Sequence, residues 1–155
     1  MSDKKTIKTK MKDRELLARV FKEYLKAENI ETASGKEPLI ARMYHANENE
    51  AAIMVARKGT LKGPYPANYG DMGAKVSKEG TLDIIYDNTD IHDPKKFLSD
   101  IMVEYNKLNI EKTCKAYGAL GKPEIVGTSA SGKIKVRVKI DADRIPHRHK
   151  REVIL

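Results

Sequence analysis

An α+β fold is what this sequence predicts, with an antiparallel sheet and two main helices packed on one of its faces. Two amphipathic helical stretches are separated by several short strand-like runs. Tight turn signals link those runs, leaving no room for the long crossovers that a parallel sheet needs. The 155 residues, 40% apolar and 34% charged, suit one core. The expected organisation is a single domain over residues 5–140, followed by a basic tail over 141–155.

Residues 6–11 alternate, with Ile7 and Met11 on one side and Lys8 and Lys10 on the other, which reads as a first strand. Asp13 then stands where an N-cap acid should. Leu16, Leu17, Val20, Phe21, Tyr24 and Leu25 recur behind it at helical spacing, with an end expected near residues 27–29. Residues 32–38, which include Ser34-Gly35, read as a loop. Residues 38–45 and 51–58 flank Asn47-Glu48-Asn49-Glu50 as a hairpin, with Leu39, Ala41 and Met43 on one face. The prolines of Gly63-Pro64-Tyr65-Pro66 cannot donate to a ladder, so residues 59–71 read as a surface loop. Residues 72–76 and 81–86 form a second hairpin around Ser77-Lys78-Glu79-Gly80.

Asp93-Pro94 starts the second helix, an acid at the cap and proline in the first helical position. It should run to Tyr117 or Leu120, stopping at Gly118 or Gly121. At steps of about 100° per residue, Phe97, Leu98, Ile101, Tyr105 and Leu108 share one face, while Val103, Ile110, Cys114 and Tyr117 fall opposite. The first stripe meets the sheet. The second needs cover from either the chain's own first helix or another subunit. A short strand over 123–127 and a turn over 128–132 lead to residues 133–140, where Ile134, Val136, Val138 and Ile140 alternate with Lys133, Lys135, Arg137 and Lys139. Residues 141–155 show no periodicity.

Several strings invite a chemical reading. Gly127-Thr128-Ser129-Ala130-Ser131-Gly132-Lys133 has phosphate-loop spacing, but Ile134 replaces the magnesium-binding hydroxyl and a strand follows where a helix is required. Asp87, Asp90 and Asp93 lack the glycine and glutamate of a calcium loop, so they read as turn formers and a helix cap. Of the four histidines only His147 and His149 are close in sequence, and zinc needs further ligands. Cys114, the one cysteine, lies mid-helix in an apolar stripe, which fits a buried, inert thiol. With no triad or carboxylate pair, the expectation is no enzyme, no metal and no cofactor.

Charge is the better lead. Lys and Arg total 30 against 22 Asp and Glu, and the surplus lies entirely in residues 1–13 and 133–155. If the first and last strands were neighbours, Lys8, Lys10, Lys133, Lys135, Arg137 and Lys139 would make one cationic face, joined by Arg148, Lys150 and Arg151 of the tail. Such a face attracts a polyanion, because neutralising phosphates releases counterions. Lysines on an exposed sheet face also guard against aggregation. Neither strand interleaves aromatics, which points to backbone contact rather than base reading. No apolar run approaches the roughly 20 residues needed to span a bilayer, and the first ten residues carry no leader pattern, so a cytosolic protein with no membrane association is expected.

Residues 6–10 followed by the capped helix, Tyr69-Gly70-Asp71-Met72-Gly73, Leu82-Asp83-Ile84-Ile85, the helix from Phe97-Leu98 to Tyr105, and Gly132-Lys133-Ile134-Lys135-Val136 together resemble a known family. It is the small uncharacterised conserved reading-frame family of plastids and cyanobacteria, a domain-of-unknown-function family associated also with bacteria and bacteriophages. The resemblance spans about residues 5–140, although this chain lacks the family's tryptophans and adds a basic tail. It implies an α+β fold and a non-enzymatic accessory role, with no functional residues to carry over. The expected function is therefore a binding or assembly module docking on nucleic acid or a larger complex through its basic ends. The alternative is a protein adaptor or homo-oligomer using Val103, Ile110 and Tyr117 of the long helix together with Tyr65.

Overall fold

A computed structural model describes residues 2–35, 37–116, 119–128, 133–140 and 151–154. The fold is α+β and its sheets are antiparallel throughout. The chain forms two compact units, Met1–Leu98 and Ser99–Leu155.

In the first unit, β1 (Lys4–Ile7) leads to α1 (Arg14–Arg19), which widens into a π-helical turn at Val20–Tyr24. The strands β2 (Ile30–Thr32), β3 (Leu39–Ala41), β4 (Glu50–Ala52), β5 (Met54–Ala56), β6 (Met72–Val76) and β7 (Leu82–Asp87) follow. Five of them make a sheet in the order β1-β7-β6-β5-β2, while β3 and β4 pair separately as a two-stranded ribbon. The first strand ends earlier than alternation suggests, because the Thr9 hydroxyl donates to the Leu82 carbonyl and the Met11 carbonyl accepts from Leu82 N–H at 2.8 Å. A side chain thus takes over a ladder position, and Lys8 and Lys10 lie exposed beyond the strand.

Asp13 caps α1 as its position requires, its carboxylate accepting from the N–H groups of Glu15 and Leu16 at 3.0 and 3.2 Å. The helix buries Leu16, Leu17, Val20, Phe21 and Leu25. It stops short of residues 27–29. Lys26 adopts φ 53°, and Gly63 approaches so closely that a Cβ there would lie 2.6 Å from the Tyr24 carbonyl oxygen. The loop over 59–71 is therefore seated on the helix end, with Gly63 N–H donating to Leu25 O at 3.0 Å.

β7 is buried along its whole length. Directly opposed residues share a face, so Ile85, Gly73 and Val55 line one side of the sheet, and Ile84, Ala74 and Met54 the other. The ribbon covers the first side: Ala41, Met43 and Ala52 bury against Val55 and Ile85. Gly73 makes this approach possible, since a Cβ there would meet Met54 O at 3.0 Å and the Ala41 Cβ at 3.3 Å. Tyr86 points to the opposite side, where its ring lies 6.2 Å from that of Phe97.

Phe97 belongs to α2 (Pro94–Ala116), whose first turn is capped by the Asp93 carboxylate accepting from Lys96 N–H at 3.1 Å. The second unit holds the rest of α2 and a three-stranded sheet in the order β10-β9-β8, with β8 at Ala119–Thr128, β9 at Ile134–Ile140 and β10 at Arg151–Ile154. Ile101, Tyr105, Ile110 and Cys114 are buried. A strand at Arg151–Ile154 was not visible as periodicity; four residues are too few to show one, and pairing with β9 makes it. Among the described residues no helix is long and apolar enough to cross a membrane.

Candidate functional site

The cationic face expected from the sequence requires the first and last strands to be sheet neighbours, and they are not. β1 pairs with β7, whereas β9 pairs with β8 and β10, so the terminal strands do not stand side by side in one sheet. Lys8 and Lys10 are thereby separated, as sheet neighbours, from the row on β9. Within β9 the expected register holds where side chains are described: Ile134 is 0% exposed, and Lys133, Lys135 and Arg137 are exposed. Lys139 has its backbone in β9, and Arg151 opens β10 opposite Val138. Arg148, Lys150 and Tyr117 lie outside the described residues.

A carboxylate tempers the row. Glu124 of β8 and Glu152 of β10 both stand opposite Arg137, and the Glu124 carboxylate lies 3.9 Å from the Arg137 guanidinium. Both side chains of that pair are more than half exposed, so solvent screens it. Gly127 and Ile154 stand opposite Lys135. Because Thr128 pairs with Ile134, the glycine- and serine-rich string between β8 and β9 connects two antiparallel strands. The phosphate-loop reading therefore fails on geometry.

Of the residues proposed for a protein partner, Ile110 and Tyr65 are engaged within the chain. Ile110 is 1% exposed in the isolated chain, which corrects the expectation that it offers a surface to another subunit. Tyr65 stacks edge-on against Phe97, ring centroids 4.8 Å apart, with the Lys96 ammonium 5.7 Å from its own ring centre. That anchors the 59–71 loop to the start of α2. Val103 is half-buried. Cys114 is buried and burial pushes its thiol pKa up, the opposite of what a nucleophile needs.

A second cluster, in the first unit, escaped the sequence reading. Where the ribbon meets the sheet edge, Asp71 is 4% exposed and organises three segments. Its carboxylate accepts from Arg42 N–H at 2.9 Å, Lys58 N–H at 2.7 Å and Arg57 Nη1 at 2.8 Å. The Arg57 guanidinium also donates to Glu31 and to the Ile40 carbonyl, tying β2, the ribbon and the end of β5 together. Its hydrogen bond to Glu31 holds that carboxyl below its ordinary pKa. Arg57 is thus fully engaged. Arg42 and Lys58, held by their backbones, extend exposed side chains that form no salt bridge or side-chain hydrogen bond among the described residues.

These residues border a cleft of about 500 Å³ lined by Arg42, Met43, Arg57, Lys58, Tyr69 and Asp71. Tyr69 is placed by Asp90, whose carboxylate accepts from the N–H groups of Asn68, Tyr69 and Gly70 at 2.8 to 3.2 Å. Gly70 is needed because a Cβ there would lie 3.3 Å from both Arg42 O and Met43 Cα. Beside Tyr69 stands Tyr44, ring centroids 5.9 Å apart, and His45 meets Tyr44 edge-on at 5.0 Å. Tyr44 is 60% and Tyr69 44% exposed. The available signal was Tyr69-Gly70-Asp71 beside Arg42-Met43-Tyr44, but the two segments lie far apart in sequence and only the fold joins them.

The acidic string 87–93 serves structure. Asp87 is buried and accepts from Thr89 N–H at 3.0 Å, Asp90 holds the 68–70 loop, and Asp93 caps α2. Among the described residues no three His, Cys, Asp or Glu side chains converge on a metal-binding geometry. No family model, curated protein or solved structure matches this chain.

Proposed function

We propose that this chain is a non-enzymatic accessory module that docks on nucleic acid, with the phosphate backbone gripped by the cationic row of β9. The observation that supports it is the exposed series Lys133, Lys135 and Arg137, which presents cations at alternate positions with a fully buried Ile134 between the first two. Two residues along a strand rise about 6.6 Å, so alternate cations form a linear row that can lie along one phosphate backbone. Contacts of this kind position a protein without reading sequence. Less supports the adaptor alternative, since Ile110 is buried and Tyr65 is stacked on Phe97, while Val103 is half-buried.

Lys135→Gln, Arg137→Gln and Lys139→Gln in combination should weaken binding to labelled single- and double-stranded oligonucleotides and leave the circular dichroism spectrum unchanged. The salt slope should fall by about 0.7 to 0.9 for each phosphate contact removed. Equal affinity and equal slope for the parent and the triple variant would refute the assignment of the row.

A further inference from the structure

We infer that the cleft beside Tyr44 and Tyr69 is a second binding site, which takes an unpaired nucleobase on the tyrosine rings and its phosphate on Arg42 and Lys58. The inference rests on nucleic acid being the partner, but it concerns different residues in a different unit from the β9 row.

The chemistry follows from what the cluster exposes and how firmly it is held. Two tyrosines stand side by side and open to solvent, one of them forming a wall of the cleft. An isolated exposed tyrosine is ordinary on a protein surface. These two are carried by backbones that are clamped from beneath. Asp90 accepts from three consecutive N–H groups around Tyr69, while Arg42 N–H donates to Asp71 and Asp71 N–H donates back to Arg42 O at 2.8 Å. Met43 N–H is held by the Asn49 side chain at 2.9 Å. With the backbones held in this way, less freedom is lost when a flat ligand stacks on the rings.

Charge selects the ligand further. The Asp71 carboxylate shares the Arg57 guanidinium with Glu31, and Arg42 and Lys58 at the rim bring the cluster to three cations against two carboxylates. Arg42 and Tyr44 follow β3 at alternate positions and both are exposed, with Met43 buried between them. A cation and a ring two residues apart on the same side suit a phosphate and the base attached to it. A plain anion would engage the cations and leave the rings unused. The combination of a stacking platform with basic side chains is how sequence-tolerant single-strand binding is built.

The test uses the full chain and fluorescence anisotropy with two labelled probes, a short oligothymidine and a backbone of equal length lacking bases. The parent should bind the oligothymidine about tenfold more tightly, as stacking of one base provides. Tyr44→Ala with Tyr69→Ala should abolish that preference, and Tyr44→Phe with Tyr69→Phe should retain it. The triple glutamine variant of β9 should weaken both probes alike and keep the preference, so failure of the row and failure of the cleft are separable. Competition by a free mononucleotide, lost in Arg42→Gln with Lys58→Gln, would assign the same chemistry to a small nucleotide rather than a strand. No preference for bases in the parent, or a preference unchanged by the double alanine variant, would overturn the inference.

Discussion

Replacing Asp71 by Asn probes the most connected polar group of the first unit while changing its volume hardly at all. The carboxylate is 4% exposed; Oδ2 accepts from Arg42 N–H and Arg57 Nη1, and Oδ1 accepts from Lys58 N–H. An amide has one acceptor oxygen. Keeping it at Oδ2 sets the new NH2 against Lys58 N–H, a buried donor facing a donor, and the reverse rotamer misplaces two partners. An unsatisfied buried donor costs about 1–3 kcal/mol, and loss of the charge on a bond to Arg57 adds to it. Arg57 is 26% exposed and recovers part of its hydration, which keeps the total near 2–3 kcal/mol, below the value for a fully buried pair. For a chain of this length that corresponds to a melting-temperature drop of about 4–12 °C. Urea unfolding followed by circular dichroism measures it directly, and Arg57→Met with the double variant completes a cycle whose coupling should be about 0.5–3 kcal/mol. A single-variant change within about 0.5 kcal/mol, as for ordinary surface positions, would refute the role given to Asp71.

Two further outcomes follow from the packing and the charges. Gly73→Val drives a branched side chain into Met54 O and Ala41, so it should cost about 1–3 kcal/mol or more in the same unfolding assay, whereas strand propensity alone would make valine favourable. Acid sensitivity should reflect Glu31 and Glu50, both held below their ordinary value of 4.5. For Glu31 the cause is the Arg57 hydrogen bond; for Glu50 burial pushes upward, but hydrogen bonds from Lys75 and Lys4 outweigh it. A carboxyl with a depressed folded pKa stabilises fully above its unfolded value and loses that contribution as pH falls through the folded one. Stability should therefore decline on acidification below pH 4.5, and Glu50→Gln should be less stable at neutral pH with a flatter acid limb, measured by thermal melts across pH.

Much of the fold was legible because its signals are local. Asp13 and Asp93-Pro94 announce helix starts through hydrogen bonds that span three residues or fewer, and both caps are made. The alternation at Ile134 to Arg137 declares a half-buried strand because side chains change sides at each residue. Less was legible at the margins. β2 and β10 are three and four residues long, too short for periodicity, and exist through their partners β5 and β9. The expectation that residues 38–58 form one simple hairpin also needed the tertiary structure. The chain breaks at Ile53, whose N–H donates to Ala74 O, so that β4 serves the ribbon and β5 the sheet.

Class and charge layout are local properties of the chain: two capped helices, antiparallel strands, and a cationic alternation over residues 133–139. Those follow from steric and solvation preferences that act within a few residues. Which strands became neighbours was decided only in three dimensions: β1 pairs with β7 and not with β9, while Arg42, Lys58 and Tyr69 come around one cleft with Tyr44 beside Tyr69. The physical reason is burial. A ribbon over Gly73 and a loop held by Asp90 and Asp71 satisfy apolar surface and buried hydrogen bonds contributed by segments distant in the chain, and no local pattern encodes that pairing.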